Sequence, residues 1–163
     1  MQFSSFDEKK SITIFTDGSC HTQLKTGGWA SILFIGSEKI VLEGSERATT
    51  HQRMELMAVI ESLKYLQTHN LLHQQIIIYP DSQYVVDLLK RKDRLEQADY
   101  KTKKLSPIRN LELVKELLPF MERSNIQFIK VKSHQRLPDK EANFNREVDL
   151  LSRKKMREIA GDE

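Results

Sequence analysis

One cysteine, Cys20, is all the thiol chemistry that the 163 residues offer. It excludes an internal disulfide, and without a second cysteine a structural zinc site is a poor fit. A catalytic pair with His21 is disfavoured as well, because adjacent residues on an extended chain point to opposite sides. No apolar run approaches the roughly 18 to 20 residues that span a bilayer, and Met1 to Lys10 lacks the apolar centre of a signal peptide. No membrane partner is expected, and the location expected is the cytoplasm. Internal repeats and low-complexity linkers are missing too. With 39% hydrophobic and 30% charged residues, residues 1–163 read as a single domain, with 1–10 as a loose N-terminal extension.

The chain also lacks a large excess of either charge. Its net +3 comes from 26 Lys and Arg against 23 Asp and Glu, too little by itself to imply a polyanionic partner. The distribution says more. Between Lys90 and Asn110 eight basic residues face three acids, which fits either a phosphate-binding surface or a solvated helix and loop.

What is present is a pattern of strands and helices that delivers acids to one edge. Ser11 to Thr16 is β-branched and aromatic, apolar on both sides at Ile12, Ile14 and Phe15, as in a central strand. It runs into Asp17-Gly18-Ser19, which reads as the strand's end, with Gly18 and Ser19 turning the chain away. Trp29 to Ile35, a Gly36-Ser37 hairpin turn and Lys39 to Glu43 complete a three-strand antiparallel meander. Thr50 offers an N-cap to a helix over about 50–69, with Leu56, Val59, Ile60, Leu63 and Leu66 at helical spacing. Gln75 to Tyr79 is a buried strand ended by Pro80 and Asp81. Ser82 or Asp81 caps a helix bearing Tyr84, Val85, Leu88 and Leu89 on one face. Asn110 caps another, with Leu111, Val114, Leu117 and Leu118, bent or ended near Pro119. Ile126 to Val131 form the last strand, Ser133 to Glu141 a loop, and a charged helix starts between Ala142 and Glu147. The order β-β-β-α-β-α-α-β-α predicts a mixed sheet with helices on its faces.

The first and fourth strands, joined by a helical crossover, are parallel if adjacent, so Asp17 and Asp81 meet at their carboxyl ends, where open α/β sheets bind ligands. Glu55 lies in the second turn of the crossover helix among residues that face the sheet, where an unpaired acid is costly. Asp149, near the start of the last helix, reads from spacing alone as a first-turn acid favouring the helix dipole. Converging carboxylates repel unless a cation joins them, and oxygen donors without cysteine select Mg²⁺ or Mn²⁺ over Zn²⁺. Paired ions in such sites hydrolyse phosphodiesters.

Thr16-Asp17-Gly18-Ser19-Cys20, Gly27-Gly28-Trp29-Ala30, Thr49 to Ala58 (TTHQRMELMA), Asp81-Ser82-Gln83-Tyr84-Val85, Val131-Lys132-Ser133-His134 and Asn145 to Arg153 together resemble the signatures of type 1 ribonuclease H, from about Ile12 to Arg153. The resemblance implies a ribonuclease H-like fold with a five-stranded mixed sheet of three antiparallel and two parallel strands. It implies an endonuclease that cuts the RNA strand of an RNA–DNA hybrid, leaving 5′-phosphate and 3′-hydroxyl ends. Asp17, Glu55, Asp81 and Asp149 would hold two Mg²⁺ ions, with Mn²⁺ able to substitute, and His134 would assist proton transfer or product release. Thr50 and Arg53 would contact a DNA phosphate, Gln83 the minor groove, and Asn110 the hybrid. A free-standing monomer is expected.

Several residues depart from the family pattern. His51-Gln52 stands for an Asn pair, Gln23 for an Asn, and Leu95 for a stacking Trp, leaving Tyr100 as the nearest aromatic platform. Pro80 removes one strand N–H, and Asp149 follows His134 at an offset of fifteen positions. Two other readings compete: a binding module without catalysis, which would cleave no hybrid, and a resolvase-like or transposase-like DNA nuclease, which would cut all-DNA duplex.

Overall fold

Alternating large apolar side chains on both faces make Ile12–Cys20 (β1) the middle of a sheet. The computed structural model describes residues 11–130 and 139–161. β1 pairs antiparallel with Gly27–Ile35 (β2), from Ile12 opposite Ile35 to Cys20 opposite Gly27, and β2 pairs with Glu38–Glu46 (β3) across the Gly36-Ser37 turn. On its other side β1 pairs in parallel with Ile76–Pro80 (β4), and β4 with Ile126–Phe128 (β5). The sheet order is β3-β2-β1-β4-β5, the predicted three-strand meander joined to two parallel strands. Pro80 costs the ladder little, because β5 pairs with β4 only as far as Ile78.

Two elements of the first strand's expected ending are corrected. Asp17 does not begin a turn: it sits within β1 opposite Ala30, and Gly18 lies opposite Trp29. Gly18 does not turn the chain away either. A Cβ there would lie 2.5 Å from the Glu55 backbone nitrogen and 2.6 Å from the Met54 carbonyl carbon, so only glycine lets the crossover helix lie against the strand.

That helix, His51–Thr68 (α1), starts where predicted. Thr50 is extended (φ −130°, ψ 162°) and its hydroxyl accepts from the Arg53 N–H at 3.2 Å. Its buried side chains, among them Leu56, Val59, Ile60 and Leu63, pack on Ile12, Ile14, Leu33, Ile76 and Ile78. Gln83–Asp87 (α2), capped by Ser82, leads through a 3₁₀ turn at Leu89–Arg91 into Lys92–Gln97 (α3). The basic segment is thus partly helical, and Leu95 is no lost platform: it is 7% exposed and belongs to the main core. Tyr100 packs against the same core, with the Lys115 ammonium 4.9 Å from its ring centroid, so it is half-buried rather than a free stacking surface.

Leu111–Met121 (α4) runs through Pro119, because burial of Leu117, Leu118 and Met121 outweighs the hydrogen bond that proline deletes. Asn110 precedes it in the left-handed region (φ 58°) and makes no side-chain cap, contrary to the expectation from its residue type. The last strand ends at Phe128, shorter than predicted, although the Ile129 N–H still donates to the Ile78 carbonyl. Asp139–Ala160 (α5) begins earlier than predicted. It covers the opposite sheet face, where Phe15, Ala30, Ile32 and Val148 are buried with Phe34, Tyr79, Phe144 and Leu151 around them. α5 approaches β2 so closely that a Cβ on Gly28 would lie 2.3 Å from the Ser152 carbonyl oxygen. Among the described residues no helix is long and apolar enough to cross a membrane.

Candidate active site

Four elements deliver one acid each. The β1–β4 register, with Thr16 opposite Pro80, sets Asp17, inside β1, beside Asp81, which follows the end of β4. Alternation along β1 turns Asp17 towards the face that α5 covers, and Gly18 towards α1. Helix α1, held against Gly18, brings Glu55 over the same edge. Helix α5 adds Asp149, which lines a cleft of ≈ 360 Å³ together with Asp17, Asp81, His51 and Arg153. The four carboxylates predicted to meet therefore do meet.

The electrostatics are severe. Asp17 is 3% exposed and Glu55 1%. The Asp17 carboxyl is pushed up to about 10 by burial and by the neighbouring carboxylates, Glu55 first and then Asp81 and Asp149. Asp81 is also raised, by burial, Glu55 and Asp149, with Lys130 and His51 opposing. The Gly18 N–H donates to Asp17 Oδ1 at 2.8 Å. Neither carboxylate oxygen of Glu55 accepts a hydrogen bond from the described residues. An acid this buried and unsatisfied costs stability unless a cation occupies the space it faces.

The donor set fits such a cation. Ligand atoms from Asp17, His51 and Glu55 all lie within 4.8 Å of one another, and carboxylate oxygens suit Mg²⁺ or Mn²⁺. Asp149 is steadied on its own helix, where Arg153 Nε donates to Oδ1 at 3.1 Å. α5 is tied to β1 by the hydroxyls of Ser19 and Ser152, 2.7 Å apart. Cys20 is half-buried, its thiol near the carbonyls of His21 and Thr49, and burial pushes the thiol up, away from reactivity.

The residues expected to grip substrate are more occupied than the sequence suggests. Thr50 serves as the α1 cap. Arg53 donates through Nε to Glu46 Oε1 at 2.6 Å and through Nη1 to Glu112. Gln83 is exposed and donates to Asp87 Oδ1 at 2.8 Å. Asn110 is half-buried, two residues before Glu112. His134 lies outside the described residues. The sequence reading missed His51 as a member of the acid cluster, although its position four residues before Glu55 on a helix places the two side chains on one face. In the structure His51 Nε2 is 3.2 Å from Glu55 Oε1.

A second cleft of ≈ 300 Å³ lies beside Trp29, Leu42 and Tyr65, away from the acids. Its lining includes Glu43 and Glu61, but these pair with Lys155 at 3.4 Å and Lys64 at 3.8 Å, unlike the converging acids of the carboxylate edge.

Comparison with known proteins agrees with this geometry. The family model for RNase H matches residues 9–157. A ribonuclease H of Caldicellulosiruptor saccharolyticus is 37% identical over 127 residues, covering 77% of this chain and 85% of that protein. One from Moorella thermoacetica is 35% identical over 146 residues, covering 88% and 90%. Among solved structures, LC9-RNase H1, described as a type 1 RNase H with the type 2 active-site motif, superposes with a TM-score of 0.74 at 22% identity, over 91% of this chain and 72% of its own. A sheet of this order, an acid from each of four elements at one edge, and relatives of this similarity and coverage lead to one conclusion: the chain belongs to the ribonuclease H family of hydrolases.

Proposed function

We propose that the chain is an endonuclease that hydrolyses the RNA strand of RNA–DNA hybrids at the Asp17, Glu55, Asp81 and Asp149 edge, leaving 5′-phosphate and 3′-hydroxyl ends. The observation that carries this reading is the buried Glu55 carboxylate, with no hydrogen-bond donor among the described residues, pressed against an equally buried Asp17 in a member of this family. Such a pair is tolerable when it exists to hold metal ions. The four acids would hold two Mg²⁺ ions, or Mn²⁺, which when bound supply an activated water and a stabilised leaving oxygen.

The chain's own residues do the remaining work. The Gly18 N–H fixes one oxygen of Asp17, and Arg153 fixes Asp149. Arg153 and Arg157 line the cleft and attract the backbone phosphates of a hybrid. Thr50, Arg53, Gln83 and Asn110 contact the hybrid along the α1 and α4 side. Arg53 reaches a phosphate by exchanging its bonds to Glu46 and Glu112. His134 assists proton transfer or product release. Residues 1–163 form one catalytic domain, acting as a monomer in the cytoplasm.

A labelled hybrid incubated with Mg²⁺, with Mg²⁺ and chelator, and beside an all-DNA duplex tests this directly. Cleavage of the RNA strand alone, abolished by chelator and by Asp17→Asn or Asp81→Asn, is expected. Normal cleavage by either variant, or cutting of all-DNA duplex at the same rate, would overturn it.

A further inference from the structure

The family pattern described above has an Asn pair where this chain has His51-Gln52, and the substitution places an imidazole at the acid cluster. Three observations give that imidazole a role. First, its Nε2 stands 3.2 Å from Glu55 Oε1. Two adjacent ligands of an octahedral ion with bonds of about 2.1 Å lie about 3.0 Å apart, so the pair already spans close to one edge of such a shell. Second, His51 and Glu55 interact strongly through their charges and polar atoms, yet neither Glu55 oxygen accepts a hydrogen bond of good geometry from the described residues, so both keep the capacity to bind a cation. Third, the ligand atoms of Asp17, His51 and Glu55 share a space 4.8 Å across, and His51 is largely exposed at the start of α1, where its side chain is free to close the remaining few tenths of an ångström.

We propose that His51 Nε2 is a further ligand of the metal site, giving it a mixed nitrogen and oxygen donor set that favours Mn²⁺ over Mg²⁺. The chemistry follows from the donor. Imidazole suits first-row transition ions, whereas Mg²⁺ holds to oxygen and releases its waters reluctantly. An Asn at the same place offers a neutral oxygen, which makes no such distinction. The inference rests on the reading of Asp17 and Glu55 as metal ligands, so its test must separate the two.

The test is electron paramagnetic resonance of Mn²⁺ added to the full-length protein, with Mg²⁺ as competitor. Pulsed spectra of the wild-type protein should carry ¹⁴N modulation from a coordinated imidazole, a result that requires no variant to fold. In His51→Asn the modulation should vanish. Mn²⁺ affinity should fall at least about tenfold, while Mg²⁺ affinity changes by less than about threefold. Urea unfolding of the same variant checks that the fold is kept. Bound Mn²⁺ without ¹⁴N modulation, or equal weakening of both ions in His51→Asn, overturns the proposal and leaves the carboxylate reading intact. Unchanged Mn²⁺ binding in Glu55→Gln overturns the carboxylate reading, and the proposal with it.

Discussion

Replacing Asp17 by asparagine should make the metal-free protein more stable at neutral pH while abolishing hybrid cleavage. Asp17 is 3% exposed, and its carboxyl is pushed from the ordinary 3.8 up to about 10 by burial and by the acids around it. Between those two values the folded protein retains a proton that the unfolded chain has released, so raising the pH favours unfolding. Each pH unit in that window costs about 1.4 kcal/mol for one retained proton. Going from about pH 5.5 to 7.5 therefore removes on the order of 3 kcal/mol, which lowers the melting temperature of a chain of this size by several degrees. Asparagine keeps an oxygen for the Gly18 N–H and carries no proton to lose, so its share of this slope disappears. Asp81 is raised in the same direction, so its contribution has the same sign. Urea unfolding of both proteins in chelator at the two pH values reads the difference directly. Added Mg²⁺ should restore the wild-type protein more than the variant, because only a ligand that binds the folded state shifts the balance. Parallel pH dependences, or a variant less stable than wild type at pH 7.5, would refute the reasoning.

Gly28→Ala should lower stability and cleavage together, since its Cβ meets the Ser152 carbonyl at 2.3 Å and the Met156 nitrogen at 2.4 Å, backbone atoms that can yield only if α5 moves. A loss of about 1–3 kcal/mol in urea unfolding is expected, and wild-type behaviour in both assays would contradict the close docking of α5. Glu112→Gln should release Arg53 from one of its two acids. If Arg53 grips phosphate, the lost competition is worth about 0.2–1 kcal/mol. KM for hybrid should then fall by about 1.5- to 5-fold at low salt, with kcat unchanged and the effect gone at high salt. No change in KM at low salt would remove Arg53 from the binding surface.

The acids were legible because they depend on local periodicity and a topological rule. Alternation in Ile12 to Phe15, helical spacing in α1 and the right-handed crossover together bring Asp17, Glu55 and Asp81 to one edge, and the structure agrees. The errors have non-local causes. Asp17-Gly18-Ser19 looks like a turn, but pairing with β2 carries the strand on to Cys20. Lys92–Gln97 contains one buried apolar residue, Leu95, too few to reveal a helical period, so the chain's third helix was hidden in a charge run. Asn110 has the composition of a cap, yet it adopts the left-handed backbone that asparagine tolerates. Glu112, the partner of Arg53, comes from another helix, and no motif announces that meeting.

The docking of α5 ties quality control to chemistry. Chain synthesis produces β1, α1 and β4, with Asp17, Glu55 and Asp81, well before Asp149 exists. Until Asp139–Ala160 is made and settles onto Gly28, the face built from Phe15, Ala30 and Ile32 stays open to water. A nascent or truncated chain is therefore short of its fourth acid and displays an aromatic patch of the kind that chaperones and proteases recognise. Under the proposed reading, silence as a nuclease and visibility as an unfinished protein end in the same event, the arrival of one helix.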